Sequence, residues 1–168
     1  MFKQIVLPFL LVAAFIVGVG LFVKNSKSIK LPGLATPAPP VSTQKIIKVG
    51  STEVKVEIAN TPTLRARGLS GRTSLDEKSG MLFAFDTQNA VPVFWMKDML
   101  IPIDIIWIND GKIVRIDTNV QPPESGTADR DLATYSAGQP VDQVLEVTSG
   151  FSDKNKLKAG DPVDLAGI

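Results

Sequence analysis

Lys97 and Asp104 are the first residues to suggest chemistry. They sit in Phe94 to Ile108, F-W-M-K-D-M-L-I-P-I-D-I-I-W-I, an apolar run in which an ionisable side chain needs a partner to be buried. Strand alternation from Ile101 places Ile103, Ile105 and Trp107 on one face and Asp104 with Ile106 and Ile108 on the other. A carboxylate there neutralises if left alone and stays charged if a cation holds it; Lys97, Arg67 and Arg72 are the candidate cations. Three roles are open to Asp104: a structural ion pair, which the burial argument favours, a ligand contact, and catalysis.

The same alternation sets Trp95 and Lys97 against Phe94 and Met96. Trp95 and Lys97 could then form one wall of a cleft, an apolar ring beside a cation of the kind that binds small polar molecules. The plainer reading is a lysine stem lying over an indole, with Trp95, Trp107, Phe83, Phe85 and Phe94 serving as core. Arg72, after Gly71, is either a surface charge or a fork for an anion. A glycosidase-like hydrolase needs two carboxylates across a cleft, and Asp104 with Glu146 is the pair that strand positions offer. Glu146 otherwise faces solvent or a cation.

Whole chemistries are excluded by composition. The chain of 168 residues has no Cys and no His, which removes disulfides, thiol nucleophiles, the Ser-His-Asp triad and the usual zinc and copper sites. Any metal would have to be held by oxygen, as Ca²⁺ or Mg²⁺ are, but the acidic loop from Glu124 to Asp131 matches no calcium loop. No metal and no cofactor is expected.

The elements that must position these residues are mostly short strands. Lys45 to Val49 and Thr52 to Ala59 flank Gly50-Ser51 as a hairpin, the second strand alternating Val54, Val56 and Ile58 with Glu53, Lys55 and Glu57. Thr61-Pro62 starts one or two helical turns that Gly68 ends, with Leu64 turned to the core and Arg65 and Arg67 pointing apart. Met81, Phe83 and Phe85 share one face of the next strand. Val93 to Met96, Ile103 to Ile108 and Lys112 to Val120 follow, the last two joined by Asn109-Asp110-Gly111, a tight-turn sequence. Gln121 to Leu132 reads as a polar loop, Val141 to Thr148 as a strand, Phe151 to Leu157 as a short helix and Val163 to Leu165 as the closing strand. The sum is a mainly β, compact barrel-like or sandwich domain with one or two short helices.

Residues 1–44 stand outside that domain. After a flank at 1–4, Ile5 to Val23 is a run of nineteen residues without a charge, spanning roughly 28 Å as a helix and so nearly matching the hydrocarbon core. A cleaved signal would be shorter and carry a small-x-small site just after it, so an uncleaved transmembrane anchor is expected. Residues 24–44, with four prolines, form a Pro/Ser/Thr-rich tether. Lys24, Lys27 and Lys30 argue for a cytoplasmic domain on charge alone. An N-terminal anchor followed by such a tether nevertheless suits a domain held outside a bacterial membrane, and that orientation is preferred. Residues 45–168 hold 14 basic and 17 acidic residues, a net −3, a poor balance for neutralising phosphates, so no nucleic acid is expected.

Several ordered motifs carry a resemblance. R-A-R-G-L-S-G-R from Arg65, G-M-L-F-A-F from Gly80, the Phe94 to Ile108 run, D-G-K-I-V from Asp110, Val144-Leu145-Glu146 and K-A-G-D from Lys158 are together similar to the small domain classed as domain of unknown function 192, over nearly all of 45–168. Members often carry Asn-Thr after the lysine and Met at the position of Ser70, where this chain has Asp98-Met99 and Ser70. The resemblance implies a small β-barrel-like, commonly exported domain and no established activity. The leading reading is a membrane-anchored, extracytoplasmic, non-catalytic binding module that takes a small polar ligand or a cell-envelope partner around Arg72, Trp95, Lys97 and Asp104. The hydrolase using Asp104 and Glu146, and a structural or assembly role in the envelope, are its alternatives.

Overall fold

The computed structural model describes residues 43–85, 90–166 and 168. The expected anchor at 5–23 and nearly all of the tether lie outside the described residues. Among the described residues, no helix is long and apolar enough to cross a membrane. The fold described here belongs to one compact unit, Pro40–Ile168.

Among the described residues nine strands form, and seven of them make one sheet. In chain order these are β1 (Gln44–Val49), β2 (Thr52–Ala59), β3 (Ser79–Ala84), β4 (Phe94–Trp95), β5 (Ile103–Asn109), β6 (Lys112–Val120), β7 (Thr134–Tyr135), β8 (Gln143–Thr148) and β9 (Val163–Asp164), with helices α1 (Pro62–Arg67) and α2 (Phe151–Lys154) and a 3₁₀ turn at Asp129–Asp131. The large sheet runs β6-β5-β8-β3-β2-β1-β9, and β4 and β7 make a separate pair. All neighbours are antiparallel except β2 and β3, which run parallel; the crossover between them carries α1.

The sheet curls until its ends meet. Lys112 at the start of β6 bridges Pro162 just before β9, and Ile113 N–H donates to Asp161 O at 3.0 Å, Gly160 N–H to Ile113 O at 2.7 Å and Val163 N–H to Gly111 O at 2.8 Å. The result is a nearly closed barrel-like sheet with two short helices. The Asp110-Gly111 turn makes this closure local: both residues have positive φ, 48° and 63°, the conformation a two-residue hairpin needs.

Alternation decides which side chains fill the barrel. Val49, Val54, Val56, Ile58, Leu82, Ile106, Ile108, Leu145 and Val147 form the inner cluster, capped by Phe151. The opposite face of the same strands builds a second cluster from Met81, Phe83, Ile103, Ile105, Trp107 and Val144, covered by Leu64 of α1, Leu69 of the turn after it, and Met96 and Met99 after β4. Strand β5 lies between the two clusters, so six of its seven residues are buried. This explains an apolar run that ignores alternation.

Local signals set α1. Thr61 Oγ1 accepts from Leu64 N–H at 3.2 Å, Pro62 takes the first turn, and Gly68 N–H returns to Leu64 O. The expected helix from Phe151 to Leu157 stops at Lys154.

Candidate functional site

Two chain segments fold over the outer face of the sheet and leave a cleft between them. The first is α1 with the turn after it; the second runs from Pro92 to Met99. They are joined where Ser70 Oγ donates to Lys97 O at 3.0 Å and Gly71 N–H donates to Asp98 O at 2.8 Å. Asp98 can turn its carbonyl this way because it sits at φ 57°, a left-handed conformation that Asp and Asn tolerate better than most residues.

The cleft has a volume of about 350 Å³, and its walls include Leu69, Phe83, Phe85, Phe94, Trp95 and Met99. Phe83 meets Phe94 edge to face at 4.9 Å between centroids, and Phe94 meets Trp107 in the same way at 5.5 Å, which fixes the aromatic back wall. Cations border the cleft. Arg65 donates to Ala84 O at 2.9 Å and lies 5.8 Å from the Phe85 centroid. Arg67 also lines the cleft, and its guanidinium has no hydrogen-bond or ion-pair partner among the described residues. Lys97 sits 5.6 Å from the centroid of Trp95 and is ion-paired to Asp129. Helical spacing set Arg65 and Arg67 apart, yet both reach the cleft, because α1 ends at Arg67 and the chain turns there.

Glu146 also lines this cleft, from the centre of the sheet. On β8 it pairs with Met81 of β3 on one side and Ile105 of β5 on the other. The residue is 5% exposed, and its Oε2 has no hydrogen-bond partner among the described residues. Burial pushes the carboxyl up to about 8, and the nearby positive charge of Arg72 only partly opposes this. At neutral pH it is therefore a neutral acid, with a proton to donate and an oxygen to accept.

The other sequence candidates are placed differently. Asp104 is fully buried, but no cation holds it. Its Oδ1 accepts from Asn119 N–H at 2.9 Å and Gly150 N–H at 3.2 Å, and its Oδ2 from Ser152 N–H at 2.8 Å. Three backbone donors replace the expected Lys97, Arg67 or Arg72, and they tie β5 to the end of β6 and to the first turn of α2. Arg72 forms a bidentate pair with Glu57, at 2.7 and 2.9 Å, so its fork is filled from within the protein. These hydrogen bonds raise its pKa still further.

The paired-carboxylate site does not form. Asp104 is registered with Val147, and Ile105 with Glu146. Cross-strand partners share a face and sequence neighbours do not, so Asp104 and Glu146 project from opposite faces of the sheet. No substrate can lie between them. Of the sequence candidates, Trp95, Lys97 and Glu146 come together at the cleft, while Asp104 and Arg72 do not line it.

A family model, DUF192, described as Uncharacterized ACR, matches residues 45–165. The chain belongs to the DUF192 family. No curated protein matches it. The DUF192 domain is similar in structure to a candidate transcription regulator from Sinorhizobium meliloti 1021, at 27% identity and a TM-score of 0.69, covering 78% of this chain and 100% of that one. It is also similar to a protein of unknown function from Novosphingobium aromaticivorans DSM 12444, at 28% identity and a TM-score of 0.64, covering 80% of this chain and 98% of that one. The DUF192 cleft thus lies on a barrel-like fold shared with both of these proteins.

Proposed function

We propose that this DUF192 domain is a non-catalytic binding module that takes a small polar ligand in the cleft above Glu146. One observation carries the reading: a carboxyl group buried in the middle of a sheet, with an unpartnered oxygen, lines a concavity large enough for a small molecule. Leaving such a group unsatisfied costs about 1–3 kcal/mol, and a ligand that pairs with it recovers part of that cost. Apolar walls with a few placed polar groups are the usual make-up of small-molecule sites. The uncharged run at 5–23 and the proline-rich tether support holding this module outside the membrane. The net −3 of residues 45–168 gives no support for carrying over the regulator description.

The two tryptophans provide the test. Trp95 is half-exposed at the cleft, whereas Trp107 is buried with Nε1 donating to Asp117 at 2.7 Å. A fragment library titrated into the full chain should yield compounds that move the indole N–H resonance of Trp95 and leave that of Trp107 in place. A library in which no compound moves Trp95 would overturn the reading. Protease added to intact cells should remove the domain, and full protection would refute the orientation.

A further inference from the structure

We infer that the ligand is a small organic anion, a carboxylate on an apolar body, that sits against the buried Glu146 carboxyl in a cleft bordered by the cations Arg65, Arg67 and Lys97. The inference rests on the cleft being a ligand site. It goes further in naming the sign of the charge, and two features of the geometry determine that sign.

The first is the set of charges around Glu146. Cross-strand register sets Glu57, Met81, Glu146, Ile105 and Asp117 in one row on the outer face. Met81 and Ile105, the immediate neighbours, carry no charge. Glu57 is occupied by Arg72, and Asp117 accepts from Trp107 and Arg115. Acids on the flanking strands are therefore already matched. From the covering segments, the charged groups at the cleft are Arg65, Arg67 and Lys97, all positive; only Lys97 has an acidic partner, Asp129. A cationic ligand would enter against the two cations without an acidic partner, Arg65 and Arg67, and an anion would be drawn in.

The second is the form of the acid. A carboxyl group that stays protonated at neutral pH can donate its O–H to a carboxylate oxygen, a short charge-assisted bond. A cation would instead have to ionise Glu146 in a buried site. The two ligand classes therefore predict opposite proton linkage. Where the ligand accepts from the neutral acid, affinity is constant below the free carboxyl's pKa of about 8 and falls as pH rises above it. Where the ligand needs the ionised form, affinity rises toward that pH from below and then levels.

A matched pair of probes decides between them: phenylacetate and phenethylammonium, alike in ring and chain length and opposite in charge, titrated calorimetrically into the full chain from pH 6 to 9.5. Phenylacetate should bind with constant affinity to about pH 8 and weaken roughly tenfold per pH unit above it. Glu146→Gln keeps a donor but cannot titrate, and should bind phenylacetate with no pH dependence over this range. Preferential binding of phenethylammonium, or an affinity that increases with pH, overturns the inference. So does phenylacetate binding that weakens identically in wild type and Glu146→Gln. If neither probe binds while uncharged fragments move the Trp95 resonance, the anion assignment fails and the binding module stands. If nothing moves Trp95, both fail.

Discussion

Glu146 should make this domain less stable as pH rises from 5 to 8, the reverse of the usual carboxylate contribution. Its folded pKa is about 8 against an ordinary 4.5, so between those values the folded chain holds a proton that the unfolded chain has released. The folded state binds more protons than the unfolded one in that window. Stability therefore falls with pH there, by about 1.4 kcal/mol per unit, and the loss is complete above pH 8. Over the full interval the loss is about 5 kcal/mol, as much as the whole stability of a marginal domain.

Other titrating groups contribute to the raw pH profile, so the measurement is a difference. Urea unfolding of wild type and Glu146→Gln at each pH from 4 to 9 should give nearly equal free energies at pH 4, below the unfolded carboxyl's pKa. A gap favouring the glutamine should then widen steadily to pH 8 and stay constant beyond. The two chains share every other titratable group, so a gap with this shape belongs to Glu146. Parallel curves across the whole range would refute the reasoning, because they would mean that the carboxyl ionises as it does in water and is not held in an apolar site.

Substitutions at three further positions test other parts of the fold. Arg72→Ala removes the cation that pulls the Glu146 pKa down, so the point where the wild-type and glutamine curves stop diverging should move above pH 8 when both are measured in the alanine background; an unchanged point would show that Arg72 does not act on Glu146. Asp104→Ala strips the acceptor from three backbone N–H groups and should cost about 3–5 kcal/mol in urea unfolding, Asp104→Asn costing less because one oxygen remains; a loss below about 1 kcal/mol would contradict the capping role. Gly80→Ala would put a Cβ 2.5 Å from Glu146 O and 3.0 Å from Val147 Cγ1, backbone that cannot yield without parting β3 from β8, so the melting temperature should drop by roughly 4 °C or more, as about 1–3 kcal/mol of overpacking implies. An unchanged melting temperature would mean that β3 and β8 are not packed this closely.

Where neighbouring residues alone decide the outcome, the sequence was sufficient. Alternation placed Asp104 with Ile106 and Ile108, and Ile105 with Trp107, on the correct faces of β5. Thr61-Pro62 and Asp110-Gly111 fixed a helix start and a hairpin through bonds that span only a few residues. Strand β7 leaves no signal in the sequence because two residues, Thr134 and Tyr135, have no period. Asp104 shows the other limit: its donors lie 15, 46 and 48 residues away and are backbone amides, which no side-chain pattern reveals, so Arg and Lys were the only partners in view. Glu146 was placed on a strand, but its burial comes from segments that arrive from residues 65–72 and 92–99. Alternation gives a face; it does not say what covers that face.

That distinction bears on why the cleft, and not the barrel, is where function belongs. The inner face of the sheet is filled mostly by aliphatic side chains, and its carboxylate, Asp104, is satisfied by three amides; the cleft is lined from the outer face, by Glu146. On the outer face the acids of the same sheet row have been dealt with one by one. Glu57 has Arg72, and Asp117 has Trp107 and Arg115. Glu146 differs in having an unpartnered oxygen among the described residues, although a glutamine or leucine at that position would avoid the cost of burying an acid. Stability alone gives no reason to keep a carboxyl there, and a cleft with basic and aromatic walls above it does. The stability gap between Glu146 and Glu146→Gln thus measures what the fold gives up to present a neutral acid to that cleft.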